Sequence, residues 1–152
     1  MSLNNANQIS SGSVYLGSLA ATAIIPAIYF PKRTAVKSVT LTNGAALAVD
    51  GTNNALVKLQ DNNGGGTPID LASYDTSQAN VTAGDGKGAL AADIAVPLVA
   101  LVAPMAGSQG GNPPSVGYPL DIAAGKSLQV SYTKGGTGSL TNANLQIDYF
   151  TL

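Results

Sequence analysis

The sequence predicts an all-β fold: a two-sheet β-sandwich of jelly-roll type, about eight strands, with an extended N-terminal arm. Three observations carry that expectation. Short runs alternate apolar and polar residues with the period of two that a half-buried strand requires. Turn signals rich in Gly, Asn, Asp and Pro separate those runs at close spacing. No stretch places apolar residues at the i, i+3, i+4, i+7 spacing of an amphipathic helix. A chain of 152 residues is long enough for one domain with its own core, or for one domain and an arm.

Met1 to Ser13, MSLNNANQISSGS, is polar, small and aperiodic, and reads as an arm (residues 1–13) ahead of a single sandwich domain (residues 14–152). Ordering such an arm costs about 1–2 kcal/mol per residue in backbone entropy. Contact with a neighbouring subunit would offset that cost, as would packing back on its own domain. Val14 to Leu16 and Ile24 to Phe30 are expected strands, and Pro26 marks the second as an edge or a bend. Thr34 to Thr42, TAVKSVTLT, is a firmer strand with Ala35, Val39 and Leu41 on one face. Lys37 falls on that face too, where its stem would snorkel at the rim. After the turn pair Asn43-Gly44, a further strand points Ala55, Val57 and Leu59 inward and Lys58 outward. DNNGGGTP, Asp61 to Pro68, is a loop; Ile69 to Tyr74 is a strand, followed by a Ser/Thr/Asn/Gly-rich connection to Gly88.

Leu90 to Val102, LAADIAVPLVALV, is apolar with little alternation, so it is covered on both faces or faces a partner. Pro97 cannot donate to a ladder there and predicts a bulge or a break into two segments. Ala103 to Pro119 is a long loop dense in Gly and Pro, of a length that is usually either functional or disordered. In the last third, Leu128, Val130 and Tyr132 oppose Gln129, Ser131 and Thr133, while Leu145, Ile147 and Tyr149 oppose Gln146, Asp148 and Phe150. KGGTG lies between these runs, and its glycines allow the positive φ of a reversal. The two runs are therefore expected to close the chain as one long β-hairpin.

Composition restricts function more sharply than it defines it. The net charge of −1 provides no electrostatic footprint for nucleic acid or an anionic membrane. Only 10% of residues are charged, against roughly 25% in ordinary globular proteins. Gly, Ala, Ser, Thr and Asn cover the surface instead. Such a surface is expected to lie against other subunits, the plainer alternative being a charge-poor secreted-type β domain. The chain has no His, Cys, Trp or Glu, and all eight acids are Asp. Ser-His-Asp and Cys-His nucleophilic machinery is thereby excluded, as are zinc sites of the His/Cys kind and disulfide staples. No enzymatic activity and no cofactor are expected. A hydrolase built on paired Asp carboxyls, about 5–10 Å apart, is the chemistry the composition still permits. The apolar stretch Leu19 to Phe30 has no basic residue ahead of it, contains Pro26 and is too short to span a bilayer. Asp93, Pro97 and Pro104 interrupt Ala89 to Ala106. A soluble chain without membrane segments is expected.

Most apparent motifs dissolve on inspection. Ala124-Gly125-Lys126-Ser127 resembles the end of a phosphate-binding loop, but the required first glycine is Leu120 and a strand, not a helix, follows. Gly84, Gly86 and Gly88 do not complete GxGxxG. Asp61 and Asn63 begin like a calcium loop, but its fifth position is Gly65 and its twelfth is Ala72. Asn80-Val81-Thr82 is a glycosylation sequon that matters only in a secretory pathway. The six tyrosines lack interleaved Arg or Lys, so core and subunit-interface packing, not base stacking, is expected of most of them.

The order TAVKSVTLTNGAALAVDGTNNALVKLQDN, then IDLASYDTS, then IAAGKSLQVSYTKGGTGSLTNANLQIDYF, resembles small jelly-roll virion proteins of tailed bacteriophages. It is similar in particular to the decoration, or cement, proteins on the outside of the head. The resemblance covers roughly Thr34 to Phe150 and consists of strand rhythm and turn chemistry, so no individual functional residue is carried over. It implies a capsid-binding structural protein on the outer surface of the virion, made in the host cytoplasm. The implied partners are the major capsid protein and further copies of the chain, commonly as a trimer, with neither nucleic acid nor membrane involved. A tail-fibre or head-fibre module that recognises host glycans is the alternative. Expected partner contacts are Asn4, Asn5 and Gln8 in the arm, and Met105, Pro113, Pro114 and Tyr118 in or beside the Gly/Pro-rich loop.

Overall fold

A strand with one apolar face needs a second apolar face to cover it, and the alternating runs supply two sets of such faces. The computed structural model describes residues 9–82, 84–103 and 117–152. Its strands are β1 Ser10–Leu19, β2 Ala23–Phe30, β3 Thr34–Thr42, β4 Ala55–Asp61 and β5 Ile69–Asp75. There follow β6 Val96–Pro97, β7 Val99–Ala100, β8 Leu120–Ile122, β9 Lys126–Lys134 and β10 Leu140–Thr151. One 3₁₀ turn, Asn63–Gly65, is the sole helical element among the described residues. The chain is all-β, and two antiparallel five-stranded sheets form a sandwich.

Sheet A has the order β1-β10-β3, with β6 and β8 both paired to the far edge of β3. Sheet B has the order β2-β9-β4-β5-β7. Pairing is nested from the ends of the chain inward: β1 with β10, β2 with β9, β3 with β6 and β8, β4 with β5. Successive strands β1 to β4 alternate between the sheets, so each connection crosses the sandwich. The core lies between the inward faces, where Leu41, Leu145 and Ile147 of sheet A oppose Leu59, Val130 and Tyr132 of sheet B, all essentially without exposure. Burying each such side chain stabilises by about 1.5–3 kcal/mol.

Several expectations change in three dimensions. Ser10 to Ser13 are not arm: they are the first residues of β1, with Ser10 opposite Tyr149 and Ser13 opposite Gln146. Residues 1–8 lie outside the described residues. The terminal runs do not form a hairpin, because β9 belongs to sheet B and β10 to sheet A. The intervening segment is an arch that carries the chain across the sandwich. Its glycines serve close approach: Gly135 exchanges backbone hydrogen bonds with Asn54, and the hydroxyl of buried Tyr132 donates to the carbonyl of Gly138 at 2.7 Å. A Cβ on Gly138 would overlap the backbone of Asn54.

Lys37 is likewise not on the inward face. Asp148 pairs with Ser38 and Tyr149 with Val36, leaving Lys37 as the extra residue of a bulge. The bulge turns Lys37 outward and brings Val36 into the core. Pro26 lies in an edge strand, as its missing donor requires, and the ladder is irregular between Pro26 and Tyr29. The apolar run around Pro97 does break in two. Val96–Pro97 joins sheet A, Val99–Ala100 joins sheet B, and fully buried Leu98 makes the crossing with its N–H bonded to the Val39 carbonyl.

Candidate interaction surface

Period two places polar side chains outward on the long strands, and in sheet A this produces a ladder of neutral groups across three strands. Ser13 Oγ donates to Asn144 Oδ1 at 2.8 Å, and the exposed Tyr15 hydroxyl donates to Asn142 Oδ1 at 3.3 Å. Asp148 is the one carboxylate in this ladder. It accepts from Ser11 Oγ at 2.5 Å, Ser38 Oγ at 3.1 Å and Gln146 Nε2 at 3.2 Å. The Ser11 hydrogen bond, helped by those from Gln146 and Ser38 and by Lys37, holds its carboxyl below the usual carboxylate range against some desolvation.

The outer face of sheet B is also polar but carries an ion pair. Lys58 Nζ meets Asp70 Oδ2 at 2.6 Å, Gln60 Nε2 donates to Asp70 Oδ1 at 2.6 Å, and Gln129 Nε2 donates to Gln60 Oε1 at 3.0 Å. Burial raises the Asp70 pKa, but the bonds from Lys58 and Gln60 outweigh it and leave it lowered. Toward the edge of this face, Ile24, Pro26 and Tyr29 of β2 stand exposed opposite Ser131, Gln129 and Ser127 of β9.

Four further carboxylates, those of Asp50, Asp75, Asp85 and Asp121, accept hydrogen bonds from nearby groups. Asp50 accepts from the N–H groups of Thr52 and Asn53, Asp75 from Ser77, and Asp85 from Val81 and Thr82. Arg33 forks onto both oxygens of Asp121 at 2.9 and 2.8 Å. Asp50, Asp85 and Asp121 are each held below the ordinary range, by the Thr52 N–H for Asp50 and by Arg33 for Asp121; at Asp85 the backbone N–H groups overcome desolvation. A catalytic proton donor needs a shift in the opposite direction. No cluster of metal-ligating side chains occurs among the described residues. Asp61, the first residue of the calcium-like loop, faces Lys126 Nζ at 3.0 Å and caps the N–H of Asn63. Ala124-Gly125 is the turn entering β9, of which Lys126 and Ser127 are the first residues, and Gly125 N–H bonds the Phe30 carbonyl. Asn80-Val81-Thr82 lies in an exposed loop.

Of the expected partner contacts, Asn4, Asn5, Gln8, Met105, Pro113 and Pro114 lie outside the described residues. Tyr118 is described and corrects the expectation: it is 3% exposed, part of the core, and its hydroxyl donates to the Leu98 carbonyl at 3.2 Å. A ring that caps the point where the chain crosses between sheets has no face left for a partner. The sequence reading missed Tyr15, Ile24 and Tyr29, which are 68%, 65% and 58% exposed. The signal was present: the first 31 residues contain no charge at all, so neither strand they form has a guarding charge, and Pro26 is the one guard residue in β2.

No family model, no curated protein and no solved structure matches this chain.

Proposed function

We propose that the chain is a non-enzymatic virion structural protein: a jelly-roll decoration, or cement, protein that binds the outer surface of a tailed-phage head and stabilises the shell. Its partners on this reading are the major capsid protein and further copies of itself, most simply as a trimer. The observation that carries the proposal is a pair of sheet faces covered largely by neutral hydroxyl and amide groups, whose carboxylates Asp148 and Asp70 are held by hydrogen bonds from neighbouring side chains. Repeated weak contacts in a symmetric lattice favour such a surface, because neutral groups lose little hydration on contact. The nested strand pairing supports the jelly-roll assignment, since two interlocked Greek keys pair their strands in this way.

The test is co-sedimentation of the purified chain with assembled heads of the phage that encodes it. Saturable binding is expected, together with a higher temperature of shell rupture. Removing Met1 to Gln8, which spares β1, is expected to weaken binding; unchanged affinity would take the arm out of the interaction. Failure of the intact chain to bind any head preparation would overturn the proposal.

One observation favours the alternative, a fibre module that recognises glycans. Tyr15 presents an exposed ring beside Ser13, Asn142 and Asn144 on the outer sheet face, the kind of aromatic and amide grouping on which a sugar ring stacks. A reproducible glycan-array signal that disappears in Tyr15→Ala would make this the better reading.

A further inference from the structure

Edge strands leave a row of N–H and C=O groups open, and proteins guard them with short length, bulges, proline and above all charge. This molecule guards its two sides unequally. On one side the sheets end in β6, β8 and β7, each two or three residues long. On the other, sheet A ends in β1 with ten residues and sheet B in β2 with eight. Among the described residues no strand pairs with the outer edge of either. Neither strand contains a charged residue, and none precedes Lys32. The ladder of β1 runs regularly from Ser10 to Tyr15. The β2 edge, interrupted near Pro26, shows Ile24 and Tyr29 instead. The two edges are neighbours: a Cβ on Gly12 of β1 would lie 3.1 Å from Ile28 Cδ1 of β2.

We propose that this side of the sandwich is the interface with a second copy of the chain, the β1 edge of one copy meeting the β2 edge of the next around a closed ring. Two different open edges on one side fit a heterologous contact, in which the β1 edge of one copy meets the β2 edge of the next and repetition about an axis closes the ring. Charge selects the occupant. An ionic partner surface would lose hydration here and gain no counter-charge, whereas a second copy brings the same neutral strands. The inference deepens the reading above and rests on it only for the purpose of the ring.

The experiment is light scattering on the full chain, with Ile24→Lys/Tyr29→Lys as the interface variant and Leu101→Lys, beside β7 on the opposite side, as the control. Wild type and control are expected at the mass of a ring, three chains for a trimer, and the double variant at one third of that mass with an unchanged β-sheet circular dichroism spectrum. Amide exchange on the wild type supplies a readout independent of any variant: the open-edge N–H groups of β1 and β2 should be protected. A monomeric wild type, a ring that survives both lysines, or freely exchanging edge amides would overturn the inference. Head binding, measured in parallel, separates the two claims. A monomer that binds heads sinks the ring and leaves the proposed function, while a ring that ignores heads does the reverse.

Discussion

The hydroxyl of Tyr118 illustrates how much one residue's role depends on where the chain turns. It bonds the carbonyl of Leu98, the buried residue at which the chain passes from β6 in sheet A to β7 in sheet B. Tyr118→Phe keeps the ring and orphans that carbonyl, so we expect a loss of about 0.5–1.5 kcal/mol in urea denaturation and no change in head binding. The same burial pushes the phenol's pKa above its ordinary value. In the unfolded chain the group ionises near pH 10, so its contribution is intact below that pH and is lost as pH rises toward the folded value. Alkaline destabilisation above about pH 10 should therefore be reduced in Tyr118→Phe, as read from melting temperatures across pH 8 to 11. A tyrosine beside a Pro-rich loop looks like a contact residue in sequence, and nothing local reveals that Leu98 closes over it.

At the scale of elements, the segment joining β9 and β10 is the instructive case. Both strands announce themselves by alternation, and KGGTG looks like a hairpin turn because glycine suits one. The glycines are needed for another reason, the close approach of the arch to Asn53 and Asn54. Gly138→Ala is expected to cost about 1–3 kcal/mol through overpacking against the Asn54 backbone. Gly51, whose Cβ position is open, should tolerate alanine with little change in the same thermal melts. The bulge at Lys37 teaches a related lesson. Period-two reading is right on either side of it, but a single inserted residue reverses the face, and no local residue type marks its position.

For the molecule as a whole, its acids act together. Asp50, Asp70, Asp85, Asp121 and Asp148 all have folded-state pKa values below their ordinary ones. Groups shifted in that direction stabilise the fold at pH values above the unfolded pKa, about 3.9 for Asp. That stabilisation disappears as pH falls through the lower folded values. The melting temperature should accordingly hold from neutrality to about pH 5 and then drop, and Asp148→Asn should flatten part of the drop. A melting temperature that rises on acidification would contradict the hydrogen-bond pattern described for these carboxylates. On the proposed function, neutral faces should leave head binding insensitive to salt, since exposed ion pairs are what salt screens. Binding that collapses between about 0.05 and 0.5 M salt would point instead to an electrostatic attachment.

The sequence by itself determined the fold class, the inward faces of most strands, an edge or bend at Pro26, and a bulge or break at Pro97. These are local properties: a period of two needs only neighbours along the chain, and a missing N–H belongs to one residue. Tertiary structure alone decided which sheet each strand enters, that β9 and β10 face each other instead of pairing, that Ser10 to Ser13 are strand, and that Tyr118 is core. Those outcomes depend on partners up to 139 positions away, as Ser10 and Tyr149 are, and alternation is equally satisfied by any partner strand that offers the matching register.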